Sequence, residues 1–309
     1  MATIGNMLKR SFSTNVAKHA IQNVTIIGGG LMGSGIAQVT AQAGQSVTLV
    51  DVSNEILKKS ETAIQTSIAR VAKKLHKDDP TAAKQLSEGV LSRIKYVHDT
   101  EKSVENADLI IEAIIENIEI KHKLFKVLDQ AAPKNTLFAS NTSSLSIAEI
   151  ASVTKRKDKF GGLHFFNPVP VMKLLEVIRI PETCDETYNS MMAWGKSIGK
   201  TCITCKDTPG FVVNRLLVPY IAEAVRMLER GDASAEDIDT AMKLGAGYPM
   251  GPLELADYTG LDTGVFILEG WHKKFPDNPL FKPVELQKKL VEQGKLGRKS
   301  GEGFYKYSK

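Results

Sequence analysis

Cysteine is scarce in this chain, with three residues among 309: Cys184, Cys202 and Cys205. So small and odd a number cannot build a disulfide framework and is typical of a protein from a reducing compartment. Cys202 and Cys205 form a C-x-x-C pair, but the sequence contains no second pair and no His/Cys cluster with metal-ligand spacing. Neither a metal site nor redox chemistry at these thiols is therefore predicted.

Long apolar runs and basic blocks are also missing. No stretch of about 18 apolar residues is present, so no membrane span is predicted. The 40 Lys and Arg exceed the 35 Asp and Glu by five, but they are scattered along the chain, which argues against a nucleic-acid partner. A hydrophobic content of 42% suffices for a sizeable core, and the length favours one large domain and a smaller one.

Acidic residues are absent from the first 50 positions, whereas Lys9, Arg10 and Lys18 are present. An acid-free leader with Arg and Ser and without a continuous apolar stretch is typical of a mitochondrial transit peptide. The segment 10–13, Arg-Ser-Phe-Ser, predicts cleavage after Phe12, with an upper limit near residue 20. The sequence thus indicates a protein of the mitochondrial matrix; a disordered N-terminal tail is the alternative.

The next segment reads as a strand, a helix and a second strand. A β-branched run at 24–27 ends in glycines, a small-residue helix follows over 31–43, and a second run occupies 47–50. This order implies a right-handed crossover and the start of a doubly wound parallel sheet. We therefore expect an α/β, Rossmann-type domain over residues 21–207, with further strands at 94–97, 109–114, 136–139, 160–165, 174–178 and 201–204.

Two segments do not fit plain alternation of strands and helices. Residues 53–90 are much longer than one crossover helix requires and contain Asp-Asp-Pro at 78–80, which predicts an inserted helical hairpin. From residue 208 onward no convincing strand follows, and glycines and prolines punctuate helical stretches. We expect an all-helical C-terminal domain over 208–309, which begins with a long apolar-faced helix at 211–229.

Residues 28–33 read Gly-Gly-Gly-Leu-Met-Gly and satisfy G-x-G-x-x-G directly after a strand. Gly28 allows the tight turn, Gly30 lets the backbone approach a pyrophosphate, and Gly33 permits close helix packing. Asp51 ends the second strand, where its carboxylate can bond the ribose hydroxyls and would repel a 2′-phosphate. The predicted cofactor is NAD rather than NADP.

His164 and Glu176 lie in two apolar runs that flank a proline-rich loop. If the two strands are neighbours, the carboxylate can bond one imidazole nitrogen and leave the other as a proton acceptor. A histidine in a strand is often simply a satisfied core residue. However, a glutamate surrounded by Leu and Val needs a partner if it is buried, and His164 is the nearest candidate in sequence.

Together with residues 141–144 (Asn-Thr-Ser-Ser) and 207–215 (Asp-Thr-Pro-Gly-Phe-Val-Val-Asn-Arg), these motifs closely resemble the L-3-hydroxyacyl-CoA dehydrogenases of mitochondrial fatty-acid β-oxidation. The resemblance extends from about Ile21 to the end of the chain. It implies a homodimeric enzyme that oxidises L-3-hydroxyacyl-CoA to 3-ketoacyl-CoA with NAD.

The resemblance also implies roles for individual residues. The catalytic positions would be His164 as base, Glu176 as its partner, and Ser143 and Asn214 at the substrate oxygen and acyl region. The CoA substrate would contact Ser67, Lys74, Ser143, Asn167 and Asn214. The NAD contacts would be Gly28, Gly30, Leu31, Met32, Gly33, Asp51, Glu116, Lys121, Asn141, Ser143 and Asn167.

Two other kinds of protein fit the same scaffold. One is a catalytically idle NAD-binding protein, a sensor or a structural protein, because fold alone does not fix function. The other is a dehydrogenase for a free 3-hydroxy acid or for the short 3-hydroxybutyryl-CoA. The helical hairpin with Lys74 favours a CoA ester, since a small free acid has no nucleotide to cover.

Overall fold

A computed structural model describes residues 21–307. Eight strands form one sheet in the order β3-β2-β1-β4-β5-β6-β7-β8. Strands β1 to β6 are parallel, β6 and β7 are antiparallel, and β7 and β8 are parallel to each other. The strands are β1 Asn23–Ile27, β2 Ser46–Val50, β3 Ile94–Val97, β4 Leu109–Glu112, β5 Leu137–Ser140, β6 Phe160–Phe165, β7 Leu174–Arg179 and β8 Thr201–Lys206.

Helices cover both faces of the sheet, which explains why its central strands read as apolar runs rather than alternating patterns. All four residues of β4 and all six of β6 are buried. Two apolar clusters, one on each face, pack the helices against the strands. The helices of this part are α1 Leu31–Gln42, α2 Asn54–Leu75, α3 Pro80–Leu91, α4 Thr100–Ser103, α5 Ile118–Ala131, α6 Ile147–Ala151 and α7 Asp185–Ser197.

The predicted helical hairpin is formed by α2 and α3. The Ser53 side chain caps α2 by accepting from the amide of Ile56, and Asp79 caps α3 by accepting from Ala82. The buried side chains of α2 recur every three to four residues, which gives it one core-facing stripe. The opposite face of α2 is free to meet solvent or a ligand.

Five helices build the C-terminal part: α8 Val213–Arg230, α9 Ala235–Gly245, α10 Pro252–Thr259, α11 Leu261–Lys274 and α12 Glu285–Glu292. The first of them begins at Val213 rather than at the predicted residue 211, because Gly210 and Phe211 both have left-handed backbone, with φ of 77° and 53°. A Cβ on Gly210 would overlap the ring of Trp271. Among the described residues, no helix is long and apolar enough to cross a membrane.

Two buried carboxylates fasten the end of the chain to this helical part. Asp257 accepts from the amides of Phe304 and Tyr305 and from the Tyr307 hydroxyl, at 2.9 Å each. Asp239 accepts from the Tyr305 hydroxyl at 2.7 Å. The C-terminal segment is therefore an integral part of the helical core, although it contains no long helix.

Candidate active site

The glycine loop joins β1 to α1 at the carboxyl edge of the sheet. Gly28 has φ of 112°, and a Cβ on Gly33 would overlap the carbonyl oxygen of Gly28. A Cβ on Gly30, in contrast, would meet nothing within 4 Å. The open space at Gly30 therefore lies where a phosphate would approach the backbone.

The N-terminus of α1 faces this space with its amides available. Its N-cap residue, Gly30, offers no side-chain cap, and its first turn contains no acidic residue. Leu31 is 72% exposed, and Met32 is partly buried beside it. Unsatisfied amides and the helix dipole make such a terminus an anion site, which fits the pyrophosphate of a dinucleotide.

Asp51 lies at the end of β2, beside the glycine loop. One carboxylate oxygen accepts from the Gly29 amide at 2.8 Å and the other from the Ser53 amide at 3.0 Å. These bonds orient the carboxylate at the rim of the open space. Both the glycine loop and the Asp51 carboxylate are therefore placed as the sequence-based prediction of NAD binding requires.

A Gly30→Ala substitution tests the loop directly. Because Gly30 has φ of −63° and free space at its Cβ position, the variant should fold with unchanged or slightly raised Tm. The methyl group should enter the phosphate space and weaken NADH binding about tenfold or more, as measured by titration of NADH fluorescence. Gly89→Ala, on α3 and equally uncrowded, is the matched control; equal NADH affinity in both variants would contradict this assignment.

His164 and Glu176 face each other across the β6–β7 hairpin, where they occupy the same register position. The Nδ1 atom of His164 lies 2.6 Å from Oε2 of Glu176. Glu176 is fully buried and His164 is 5% exposed. No other described residue hydrogen-bonds the imidazole, so Nε2 can accept a proton from a bound molecule.

The second oxygen of Glu176 is held by backbone at the start of α8. Oε1 accepts from the amides of Val212 at 3.1 Å and Val213 at 2.9 Å. The rings of Phe166 and Phe211 lie 4.6 and 5.5 Å from the imidazole, centroid to centroid. The imidazole thus packs against two apolar rings, and both oxygens of Glu176 have donors, as a buried charge requires.

Glu116 organises the loop that follows β5. Its Oε1 accepts from the Thr142 hydroxyl at 2.7 Å and from the Ser143 amide at 2.8 Å. Burial alone raises the pKa of Glu116, but the Lys121 charge and these hydrogen bonds outweigh burial and hold that pKa below its usual range. Asn141 completes the loop, since its Oδ1 accepts from the Phe165 amide at 2.9 Å.

Lys121 is 1% exposed and lies between two carboxylates. Its Nζ contacts Oε1 of Glu112 and lies 3.2 Å from Oε2 of Glu116. Burial raises the pKa of Glu112, and the Lys121 charge offsets this only in part. The sequence gives no sign that Glu112 belongs to this ion pair, because it ends an apolar strand and meets Lys121 only when α5 packs against the sheet.

Of the remaining predicted residues, some lie together and others lie apart from the His164–Glu176 pair. Asn214, in the first turn of α8, donates to the Ser143 carbonyl at 3.4 Å, which brings these two positions together. Asn167 is exposed just after β6, and no described residue hydrogen-bonds its side chain. Ser67 and Lys74 lie on the outer part of α2, separate from the His164–Glu176 pair.

Lys200 was not predicted to matter for the site. It is 9% exposed, and its ammonium group donates to the carbonyl oxygens of Val169 and Met172. These bonds fix the loop between β6 and β7, and burial lowers the pKa of Lys200. A lone lysine before a strand gives no local signal of such a role.

Comparisons with known proteins identify the family. Residues 23–208 match the family profile described as 3-hydroxyacyl-CoA dehydrogenase, NAD binding domain, and residues 210–307 match the C-terminal domain of the same family. A probable 3-hydroxyacyl-CoA dehydrogenase of Caenorhabditis elegans is 59% identical over 96% of both chains. The mitochondrial hydroxyacyl-coenzyme A dehydrogenase of Rattus norvegicus is 57% identical over 94% of this chain and 92% of that protein.

The fold agrees with solved structures. The structure of (S)-3-hydroxybutyryl-CoA dehydrogenase from Ralstonia eutropha superposes with a TM-score of 0.88 at 44% identity, and the match covers 94% of this chain and all of that one. The two family profiles together span almost all described residues. The chain therefore belongs to the 3-hydroxyacyl-CoA dehydrogenase family and is an NAD-dependent oxidoreductase of 3-hydroxyacyl-CoA.

Proposed function

We propose that the protein oxidises L-3-hydroxyacyl-CoA to 3-ketoacyl-CoA with His164 as the general base. The observation that supports this role most directly is the 2.6 Å contact between His164 Nδ1 and a fully buried Glu176. That contact holds the imidazole in one tautomer and leaves Nε2 as an acceptor for the proton of the C3 hydroxyl.

In this mechanism the protein supplies the proton acceptor and the orientation of the substrate. Bound NAD would supply the acceptor for the hydride on C3. His164 takes the hydroxyl proton on Nε2, and Glu176 stabilises the imidazolium that results. Ser143 and Asn214 hold the substrate oxygen and the start of the acyl chain, while Asn167 lies at the thioester end.

The remaining polar residues would line the two ends of the cofactor site. Glu116, Lys121 and Asn141 form or fix the loop after β5, which would hold the nicotinamide half of NAD, and Asp51 would hold the adenosine ribose. The burial of both side chains and the rings of Phe166 and Phe211 beside the imidazole support a base shielded from bulk water. An idle NAD-binding protein would have no use for this buried, charge-compensated base.

The decisive assay follows the absorbance of NADH at 340 nm in the presence of acetoacetyl-CoA. A loss of absorbance that requires both NADH and the CoA ester supports the proposed reaction. Free acetoacetate serves as the comparison, because it offers the same keto acid without the nucleotide. Turnover of the free acid alone would overturn the assignment to CoA esters.

The outer face of α2 is the proposed site for the CoA nucleotide. Ser67 and Lys74 are seven residues apart and therefore project from the same side of the helix. A groove of about 630 Å³ is lined by Ser67 and by the charged residues Lys58, Lys59, Arg70 and Glu55, and Lys74 lies one turn beyond it. Its excess of basic side chains suits phosphate groups.

Homodimerisation through the C-terminal domain, residues 208–309, is a further part of the proposal. Of the apolar residues on α8, Ile221 and Val225 are buried within their own domain. Leu216 is 70% exposed, and Leu244 and Tyr258 elsewhere in the domain are 83% and 59% exposed. These side chains provide the apolar surface for a partner copy. Sedimentation at micromolar concentration should give about twice the monomer mass; a mass near 33.8 kDa would contradict this.

The proposed location is the mitochondrial matrix. The acid-free leader with its predicted cleavage after Phe12 supports this, and the relatives from Rattus norvegicus and Homo sapiens are named as mitochondrial. The leader itself lies outside the described residues. Mass spectrometry of the endogenous protein should find a terminus near Ser13 rather than at Met1.

A further inference from the structure

We propose that the buried network of Glu112, Lys121 and Glu116, which carries a net negative charge, makes the cofactor site favour NAD⁺ over NADH. The inference deepens the function proposed above and rests on it. The nicotinamide ring of NAD⁺ carries a positive charge that NADH lacks, so a fixed negative charge nearby stabilises the oxidised form more. In the oxidative direction NADH is the product, and a site that favours NAD⁺ lets fresh cofactor displace it more readily.

The network lies on the path of the nicotinamide half of the cofactor. Glu112 ends β4 and pairs with the last residues of the two neighbouring strands, β1 and β5. In the proposed binding mode the adenosine end extends from the glycine loop toward Asp51 on β2. The other end therefore extends across β4 and β5 toward His164 on β6. That direction leads over Glu112 and the loop that Glu116 holds.

The hydrogen bonds of Glu112 are those of an ionised carboxylate. Its Oε1 accepts from the Ile114 amide at 2.8 Å and from the Lys121 ammonium group. Its Oε2 accepts at 2.5 Å from the Ser140 hydroxyl, which in turn accepts from the Thr142 amide at 3.2 Å. Burial raises the pKa of Glu112, and the Lys121 charge and these donors offset part of that rise. Each neighbour is a donor, so the carboxylate has no acceptor for a proton of its own.

Lys121 compensates only one of the two carboxylates. Burial raises the pKa of Glu116, but the Lys121 charge and the hydrogen bonds of this carboxylate bring its pKa below the usual range, so it is ionised too. No other charged side chain within residues 21–307 forms an ion pair with these three. The network therefore carries one net negative charge. Because Glu112 and Lys121 are buried, solvent and salt screen this charge little.

Glu112→Gln removes the charge and keeps nearly the same volume. We expect the ratio of the dissociation constants, Kd of NAD⁺ over Kd of NADH, to rise about fivefold or more, because NAD⁺ alone loses a favourable charge interaction. Titration of NADH fluorescence, with NAD⁺ as competitor, measures both constants without turnover. Glu105→Gln is the matched control: it is the same substitution on an exposed side chain before the amino end of β4, and it should leave the ratio unchanged.

Glu112→Asp separates the charge from a purely structural role. The shorter carboxylate loosens the contacts with Lys121 and Ser140 but keeps the charge, so the ratio should stay within about twofold of wild type even if both constants rise. A purely structural role would weaken the binding of both cofactors by the same factor. A ratio that is unchanged in Glu112→Gln, or that rises as much in Glu112→Asp, would overturn the proposal.

Glu116→Gln provides a second measurement if Glu112→Gln does not fold. The Glu116 side chain is 28% exposed, so its loss of charge disturbs the core less, and the ratio should rise in the same direction. An unchanged ratio in this variant would also overturn the proposal.

The wild-type enzyme separates this inference from the proposed reaction. A protein that fails to reduce acetoacetyl-CoA with NADH would contradict the proposed function itself. An active enzyme whose ratio of dissociation constants is the same in the wild type and the glutamine variants would overturn only the role of the network charge.

Discussion

Replacing His164 by glutamine should lower kcat for oxidation of hydroxyacyl-CoA by about two to four powers of ten. The amide of glutamine fills much of the same space but cannot accept the proton of the C3 hydroxyl. The glycine loop and Asp51 are separate from this position, so NADH binding should be nearly unchanged. Stopped-flow and steady-state rates, together with NADH titration, measure the two quantities independently.

The pH profile provides a second readout of the same role. In the wild type, oxidation should fall at low pH, because a protonated imidazole cannot accept another proton, and reduction of ketoacyl-CoA should fall at high pH. His122→Gln is the matched control, since His122 only bonds the Glu149 carbonyl, at 2.7 Å. A His164→Gln enzyme with most of its activity, or with the wild-type pH profile, would show that another group moves the proton.

Glu176→Gln should lower kcat by about two powers of ten or more. The carboxylate accepts on both oxygens, from the imidazole on one side and from the Val212 and Val213 amides on the other. Glutamine has a single acceptor oxygen, so its NH₂ group must face a donor on one side. The imidazole then loses its compensating charge, and about 1–3 kcal/mol of stability is lost with the unpaired donors.

The two substitutions should not be additive. If Glu176 acts only through His164, the rate of the double variant should equal that of His164→Gln within a factor of about three. A double variant slower by the product of the two single losses would mean that Glu176 acts on the substrate independently. Thermal unfolding of all three variants distinguishes a loss of chemistry from a loss of folded protein.

The glycine loop and the contact between His164 and Glu176 could be predicted from sequence because each depends on local pattern. Gly28, Gly30 and Gly33 follow a recognisable strand, and their spacing reflects contacts within a single turn. The pair depends on two apolar runs close in sequence, and a hairpin is the shortest connection between them. The sequence argument assumed that the two strands are neighbours. The pairing of His164 with Glu176 in the sheet confirms this.

Other features depend on how the elements pack together and left no local signal in the sequence. Glu112 ends an apolar strand and meets Lys121 through the packing of a helix. Because Phe211 has left-handed backbone, α8 begins two residues later than predicted. Phenylalanine does not favour that conformation, so nothing in the sequence indicated it. Asp257 anchors the C-terminal segment across about 50 positions of sequence.

If His164 and Glu176 carry the reaction as proposed, the amides that hold Glu176 tie this chemistry to the junction of the two domains. Both members of the pair belong to the sheet, so an NAD-binding domain inherited alone would keep them but lose the two donors at the start of α8. Those donors are backbone N–H groups, which any residue except proline supplies at positions 212 and 213. A C-terminal domain exchanged during evolution or by recombination therefore has to keep the left-handed turn at Gly210 and Phe211. The identity of the side chains that follow this turn matters less than its backbone conformation.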